Sequence, residues 1–183
     1  QSGIISFLKN HLNELESRLD AIFLLEEVTV KNNATIASYG EILSSAIIQE
    51  IFKYNGVASV LKDARELIQT ESSNNRDIVS EAVSIKKITA YFKENQSKVV
   101  LVPGFISSNA SGETTTLGRG GSDYSAAIMA NALEAKVLEI WTDVSGMYTA
   151  HPKIVTQAKP IKKLSYYEAM ELSHFGAKVI YPP

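Results

Sequence analysis

Apolar residues recur at intervals of three or four near the start of the chain, which is the period of one face of an α-helix. This spacing predicts an amphipathic helix over residues 4–25, with charged residues on its other faces. The stripe expected to face the core consists of Leu8, Leu12, Leu15, Leu19, Ile22 and Phe23. A second helix is predicted over residues 40–54, because apolar residues again recur along one of its sides. Asn55-Gly56 is the signal that ends it.

Short apolar runs replace the helical period from residue 57 onward. The stretch 69–77 is polar and is predicted to be a loop. An unbroken apolar run is typical of a strand that is covered on both faces. The runs predicted to be strands are 57–61, 98–106 and 136–142.

Two further helices are predicted between and after these strands. One covers residues 123–134, with Ser122 as its expected N-cap. The other covers residues 165–175, with Ser165 as its cap and Gly176 just past its end. The alternation of strand and helix predicts an α/β layered fold with a mostly parallel sheet. Ligands of such sheets gather at the carboxyl ends of the strands.

The composition narrows the class of protein. The length of 183 residues suits one domain, and the 18 basic and 20 acidic residues give a net charge of −2. This balance gives no electrostatic reason to expect a nucleic acid or an anionic membrane as partner. The chain has no cysteine, which excludes disulfides and thiolate metal sites and fits a cytosolic protein. No apolar run is long enough to span a bilayer.

The glycine-rich stretch 115-TTLGRGGSDYSAA-127 enters a predicted helix after a predicted buried strand. Glycines let a backbone approach a ligand closely, and N–H groups at a helix N-terminus bind anions. Arg119 lies among these glycines, and its guanidinium can grip a carboxylate or a phosphate with two hydrogen bonds. No Gly-Lys-Ser/Thr follows, so the stretch is not a Walker loop. The pattern leaves open whether the loop holds a nucleotide or the molecule that accepts a phosphate.

The loop after the predicted strand 136–142 carries a second group of candidates. Thr142 and Asp143 stand where polar groups can contact the edge of a ligand, and Tyr148 could stack on a base. Asp143 could equally cap the turn through Gly146.

Two charged residues are ambiguous when taken alone. Lys178 lies in a Gly-Ala-Lys turn, where a lysine is more often a solvated charge than a ligand. Glu41 lies at the predicted start of a helix, where the helix dipole is enough to explain a carboxylate. The sequence shows no metal-ligand spacing.

Taken together, these loops resemble the aspartokinases, which are members of the amino acid kinase family. The resemblance runs from about residue 38 to the end of the chain, and the stretch 113-ETTTLGRGGSDYSAA-127 is its most specific part. The other matching stretches, which occur in the family's order and spacing, are 38-SYGEILS-44, 103-PGFISSN-109, 141-WTDVSGMYTAHPK-153 and 167-YEAMELSHFGAKVIYP-182.

The resemblance implies a carbamate kinase-like fold, a three-layer αβα sandwich with a mostly parallel central sheet. It implies transfer of the γ-phosphate of ATP to the β-carboxylate of L-aspartate, the first step toward lysine, threonine and methionine. Mg²⁺ would arrive on the nucleotide phosphates rather than in a protein cage. The parent protein would be a cytoplasmic homo-oligomer, and residues 165–182 look especially like the bifunctional aspartokinase–homoserine dehydrogenases.

The resemblance also implies residue roles. Glu41 would meet the amino group of aspartate. Arg119 would clamp a substrate carboxylate, and Ser122 would add a hydrogen bond beside Gly120 and Gly121. Asp123 would be the catalytic carboxylate that orients the lysines holding the transferring phosphoryl group. The residues that would line the ATP site are Thr142, Asp143, Tyr148, Lys153, Lys178 and Val179.

Two departures from the family qualify this reading. The family usually has Asp-Pro-Arg where this chain has 151-HPK-153, and lysine lacks the planar fork of arginine. The family's N-terminal lysine- and glycine-rich loop and its C-terminal regulatory region are missing. Residues 1–183 are therefore expected to be an N-terminally incomplete aspartokinase catalytic domain that is inactive alone. The alternatives are a non-catalytic binding or assembly module of the same fold, or a kinase of another acceptor such as glutamate or a uridine nucleotide.

Overall fold

The computed structural model describes residues 2–73 and 76–174. The chain divides into two compact units, Gln1–Lys136 and Val137–Pro183. In chain order the first unit contains α1 (Ser2–Leu25), α2 (Val30–Tyr54), β1 (Ser59–Leu61), β2 (Gln69–Ser73), β3 (Arg76–Val79), α3 (Glu81–Glu94), β4 (Val99–Leu101), β5 (Ile106–Asn109), β6 (Thr114–Thr116) and α4 (Gly121–Ala132). The second unit contains α5 (Tyr166–His174).

The helix predicted over residues 4–25 is confirmed as α1, but its apolar stripe is only partly covered. Leu8, Leu15 and Ile22 are half-buried. Leu12 and Phe23 remain 51% and 81% exposed. The helix α1 packs on α2, but its apolar stripe is wider than the surface that α2 covers.

The second helix begins ten residues earlier than predicted, at Val30 instead of residue 40. Thr29 caps it, because its hydroxyl accepts a hydrogen bond from the backbone N–H of Asn32 at 3.1 Å. Asparagine and β-branched residues in the first turns are weak helix formers, which hid this part of the helix in the sequence. The helix ends at Tyr54, with Asn55 as C-cap, as predicted.

The strands form two sheets. The first pairs β1 with β4 in parallel, and Val60 lies opposite Val100. The second has four strands in the order β3-β2-β5-β6. In this sheet β2 and β5 are parallel, whereas β3 and β6 each pair antiparallel with their neighbours. The helices α1 and α2 pack together beside β1 and β6, while α3 and α4 pack together and α3 lies against β2.

The loop predicted at residues 69–77 is wrong, because residues 69–73 and 76–77 belong to the antiparallel pair β2–β3. Their polarity concealed the strand, yet the Thr70 side chain is fully buried. Its hydroxyl lies 2.7 Å from that of Thr115, which lies 2.9 Å from that of Ser107. Buried hydroxyls that hydrogen-bond to one another stand here in place of the alternating apolar side chains by which a half-buried strand is usually recognised.

The apolar core of the first unit lies between the second sheet and the helices α3 and α4. Its buried members are Leu67, Ile68, Val79, Ile88 and Ile128. The α/β class is therefore confirmed. The strand predicted at 98–106 is confirmed only over Val99–Leu101 as β4, because the chain then leaves the first sheet and Ile106 begins β5 in the second.

The strand predicted at residues 136–142 is wrong, because these residues form no ladder. A strand requires a partner for its N–H and C=O groups, and no described segment pairs with this one. Its apolar side chains are consequently exposed, with Trp141 at 89%. The second unit instead has an antiparallel bridge between Tyr148 and Pro160.

The last predicted helix is confirmed as α5, which follows Ser165. Ser165 and Glu168 form a capping box, since each side chain bonds the other residue's backbone N–H, at 3.3 and 2.7 Å. This hydrogen bonding holds the pKa of Glu168 below its ordinary value. None of the helices in the described ranges has the length and apolar character needed to cross a membrane.

Candidate functional site

The candidate site of the first unit is assembled from α2, β6 and the start of α4. The helix α2 packs against β6, and an ion pair of 2.5 Å joins Lys31 in its first turn to Glu113, next to β6. Glu41 is half-buried in the middle of α2. The expectation that Glu41 stands at a helix start is wrong, so the helix dipole does not explain this carboxylate.

The glycine-rich loop runs from the end of β6 into α4. Gly118 and Gly120 have φ angles of 70° and 74°, which side chains of L-residues rarely adopt. The Gly121 N–H closes the turn on the Gly118 carbonyl at 3.1 Å. This turn presents the exposed Arg119 between the two left-handed glycines.

The helix α4 begins at Gly121 with Gly120 as its N-cap. The prediction of Ser122 as N-cap is therefore wrong, because the left-handed Gly120 lets the chain enter the helix earlier. Ser122 is exposed in the first turn, and Asp123 beside it is half-buried. The four candidates from Gly120 to Asp123 are thus gathered where backbone N–H groups and the helix dipole favour a negative charge.

A side chain that sequence reasoning missed, Arg65, connects the turn after β1 with the first residue of β6. Arg65 lies just after β1 and donates to both carboxylate oxygens of Asp63, at 2.6 to 3.0 Å. Burial raises the pKa of Asp63, but these hydrogen bonds outweigh it and hold the pKa below its ordinary value. Arg65 also donates to the Thr114 hydroxyl at 3.2 Å, which ties the end of β1 to β6. The only sign of this ion pair in the sequence was that Asp63 and Arg65 are separated by a single residue.

Gly104 lies against the first turn of α4. A Cβ added to Gly104 would come within 2.8 Å of the Ser122 Cα and 3.1 Å of its Cβ. A Cβ on Gly121 would likewise meet the Phe105 ring at 3.1 Å. The glycines of the two segments therefore allow the segment 103–106 to pack directly on the start of α4.

Gly104→Ala is expected to destabilise the protein by about 1–3 kcal/mol, because the new methyl group would have to displace backbone. Thermal unfolding of the full-length protein measures the effect. Gly3→Ala in α1 is the matched control, since nothing lies within 4 Å of its added Cβ. An unfolding temperature for Gly104→Ala equal to that of the control would contradict the close approach.

Phe105 is a second feature that the sequence did not reveal. Its φ angle is 69°, and the Ile106 N–H donates to the Gly104 carbonyl at 2.8 Å. A bond that spans three residues around such a φ angle is the rare and strained form of the γ-turn. Strain of this kind persists only where surrounding structure enforces it, and it clusters at functional sites.

The second unit carries the other candidates, Thr142, Asp143, Tyr148 and Lys153. The Thr142 hydroxyl donates to the Asp143 carboxylate at 3.1 Å and accepts the Val144 N–H at 3.3 Å. Both side chains are exposed, Tyr148 is half-buried, and Lys153 is exposed. Lys178, Val179 and Gly176, which is predicted to end the last helix, lie outside the described residues.

The described part of the chain holds no ready-made cage for a metal ion. Within residues 2–73 and 76–174, no three His, Asp or Glu side chains form a group that could hold a metal ion. Neither Asp123 nor Asp143 belongs to such a group. A cation there would need most of its ligands from a bound anion or from water.

Comparison with known proteins gives related sequences over nearly the whole chain. The bifunctional aspartokinase/homoserine dehydrogenase of Buchnera aphidicola is 40% identical over 182 residues, which are 98% of this chain and 22% of that protein. The lysine-sensitive aspartokinase 3 of Escherichia coli is 37% identical over 177 residues, which are 92% of this chain and 39% of that protein. The chain therefore spans about a fifth of the bifunctional relatives' length.

Solved structures also match the fold over nearly the whole chain. The chain superposes on E. coli aspartokinase III in complex with aspartate and ADP with a TM-score of 0.89 and 34% identity, covering 98% of this chain and 40% of that one. The aspartate kinase of Clostridium acetobutylicum matches with a TM-score of 0.72 and 31% identity, over 96% and 37% of the two chains. These matches confirm the predicted fold, the three-layer αβα sandwich of the amino acid kinases.

The model of the amino acid kinase family matches residues 3–183. It therefore includes both the glycine-rich loop of the first unit and the Thr142–Asp143 turn of the second. The chain belongs to the amino acid kinase family.

Proposed function

We propose that the protein containing these 183 residues is an aspartate kinase and that they form part of its catalytic domain. The observation that carries this proposal is the loop at the start of α4, where Arg119 projects between two left-handed glycines. The fold match to an aspartokinase bound to aspartate and ADP supports it. In the proposed reaction a β-carboxylate oxygen of aspartate attacks the γ-phosphorus of ATP. The bond from that phosphorus to the bridging oxygen breaks, and ADP leaves.

The acceptor site is proposed to lie at the first turn of α4. Arg119 binds a carboxylate of aspartate, and Ser122 adds a hydrogen bond beside the backbone of Gly120 and Gly121. Glu41 binds the ammonium group. The packing of α2 on β6 supports this assignment, because it brings the helix of Glu41 to the strand that leads into the loop.

Asp123 is proposed to act at the reacting phosphoryl group by orienting the lysines that hold it. A carboxylate is an adequate nucleophile, so the reaction needs little proton transfer. Positioning and neutralisation of charge then supply most of the catalysis. The half-buried place of Asp123 in the first turn of α4 supports the assignment, because burial and helix start restrict where its carboxylate can point.

The nucleotide is proposed to bind through the second unit. Thr142 and Asp143 contact the ribose or base edge, and Tyr148 stacks on the base. Lys153 and Lys178, with Val179 beside it, line the rest of the ATP site. The exposed Thr142–Asp143 hydrogen bond supports this, since it holds two oxygen-bearing side chains in one turn. Mg²⁺ bound to the nucleotide phosphates would supply charge neutralisation there.

We expect the full-length protein, given ATP and L-aspartate, to form ADP at a rate well above that with L-glutamate. The physical reason is that a site built for one chain length holds the longer carboxylate out of line, and small misplacement costs about 10²-fold in rate. A coupled assay of ADP formation, with each amino acid as the only acceptor, measures this.

The assay without any amino acid is the control for ATP hydrolysis. Equal turnover with glutamate would remove the substrate assignment and leave the family. Turnover with neither amino acid, together with no heat of binding for ATP or aspartate, would favour a non-catalytic module.

A further inference from the structure

The segment from Pro103 to Ile106 is tied to both ends of the glycine-rich loop. The Phe105 carbonyl accepts the N–H of Leu117, at the start of the loop, at 2.8 Å. The Phe105 N–H donates to the hydroxyl oxygen of Ser125, in the second turn of α4, at 3.0 Å. The strained residue Phe105 is therefore hydrogen-bonded to both ends of the loop, at Leu117 after β6 and at Ser125 in α4.

Ser125 completes this connection. Its side chain is 4% exposed, and its hydroxyl proton goes to the Gly121 carbonyl at 2.8 Å. The same oxygen accepts the Phe105 N–H. A single buried hydroxyl therefore uses its donor on the first residue of α4 and an acceptor lone pair on the strained γ-turn.

The helix alone gives no reason for a serine at this position. Alanine is a better helix former, and a serine hydroxyl that bonds back to the carbonyl four residues earlier slightly destabilises or bends a helix. The serine is therefore explained by what it joins, because removing it would leave the Phe105 N–H without its acceptor in a place where water has little access.

We propose that Ser125 is a positioning residue that sets the geometry of the acceptor site. Its hydroxyl locks the γ-turn at Phe105 onto the first turn of α4, and so fixes the loop between Leu117 and Gly121 that presents Arg119. The inference deepens the proposed function and rests on it for the identity of the acceptor. The lock itself is a property of the fold and can be measured without any substrate.

The first test is hydrogen exchange of the full-length protein, followed by mass spectrometry of peptides that cover residues 103–106 and 117–122. Ser125→Ala is expected to speed exchange in both peptides about tenfold, because the loss of one hydrogen bond lowers the opening free energy of both segments. Ser125→Thr keeps a hydroxyl and is expected to exchange like the unaltered protein.

The second test compares the kinetics of the same variants. Ser125→Ala is expected to raise the KM for aspartate about tenfold, while the KM for ATP stays within about twofold. Ser125→Thr is expected to restore the KM for aspartate. The control is Ser173→Ala, which removes a buried serine that bonds back to Ala169 at 2.7 Å in the same way. That change should leave both KM values unaltered.

The possible outcomes distinguish the proposed function from the positioning role of Ser125. An unaltered protein with no turnover would remove the proposed function, and the exchange rates would still decide whether Ser125 locks the loop. Unchanged exchange in Ser125→Ala would overturn the lock. A proportional rise in both KM values, or a Ser125→Thr variant that behaves like Ser125→Ala, would show a general structural role instead and overturn the positioning role.

Discussion

Arg119→Ala in the full-length protein is expected to raise the KM for aspartate on the order of 10²-fold and to change the KM for ATP little. The reason is that a guanidinium–carboxylate pair with two charge-assisted hydrogen bonds is among the strongest contacts that a small amino acid can make. Arg119 lies at the start of α4 in the first unit, whereas the proposed nucleotide residues lie in the second. Steady-state kinetics with each substrate varied in turn measures the two constants.

Arg119→Lys sharpens this test, because lysine keeps the charge but loses the planar fork. Recovery of only part of the aspartate affinity is expected. Lys53→Ala is the matched control, since Lys53 pairs with Glu50 on the surface near the end of α2 and exposed pairs contribute little. A larger rise in the KM for ATP than for aspartate would assign the loop to the nucleotide.

Asp123→Asn is expected to lower kcat about 10²-fold or more while both KM values change little. The amide keeps the size of the side chain but removes the charge that is proposed to orient the lysines around the phosphoryl group. A contact that matters only in the transition state affects kcat and kcat/KM equally. The expected loss in kcat is about as large as the loss that a small misplacement of a reacting group causes.

The matched control for this change is Asp20→Asn, an equal loss of charge on the exposed surface of α1. Pre-steady-state measurement of phosphoryl transfer shows whether the chemical step itself has slowed. An unchanged kcat in Asp123→Asn would remove Asp123 from the catalytic centre. It would leave the acceptor assignment of Arg119 in place.

The parts of the site that depend on neighbours in sequence were predictable. A Gly-Arg-Gly-Gly stretch predicts a turn with positive φ angles, and Gly118 and Gly120 adopt them. Ser165 followed by Glu168 predicts a capped helix, and the capping box forms. These features are predictable because the hydrogen bonds or steric limits that produce them act within a few residues.

The parts that depend on distant segments were not predictable. The polar strand Gln69–Ser73 forms because it pairs with β3 and β5, and its buried Thr70 meets the hydroxyl of Thr115 on β6. The apolar run at 136–142 has the composition of a strand but no described partner to complete one. In both stretches pairing decided the outcome over composition, since a strand's hydrogen bonds lie outside the strand.

The helical period of α1, the positive-φ turn around Arg119, the capped start of α5 and the family follow from the amino-acid sequence alone, because each is expressed in local patterns and motifs. Only the tertiary structure shows that Glu41 lies in the middle of α2, a helix that packs on β6, and that Phe105 is held in a γ-turn by a buried hydroxyl twenty residues away. No local pattern encodes these contacts. They exist because packing brings distant backbone groups together and each buried N–H must find an acceptor.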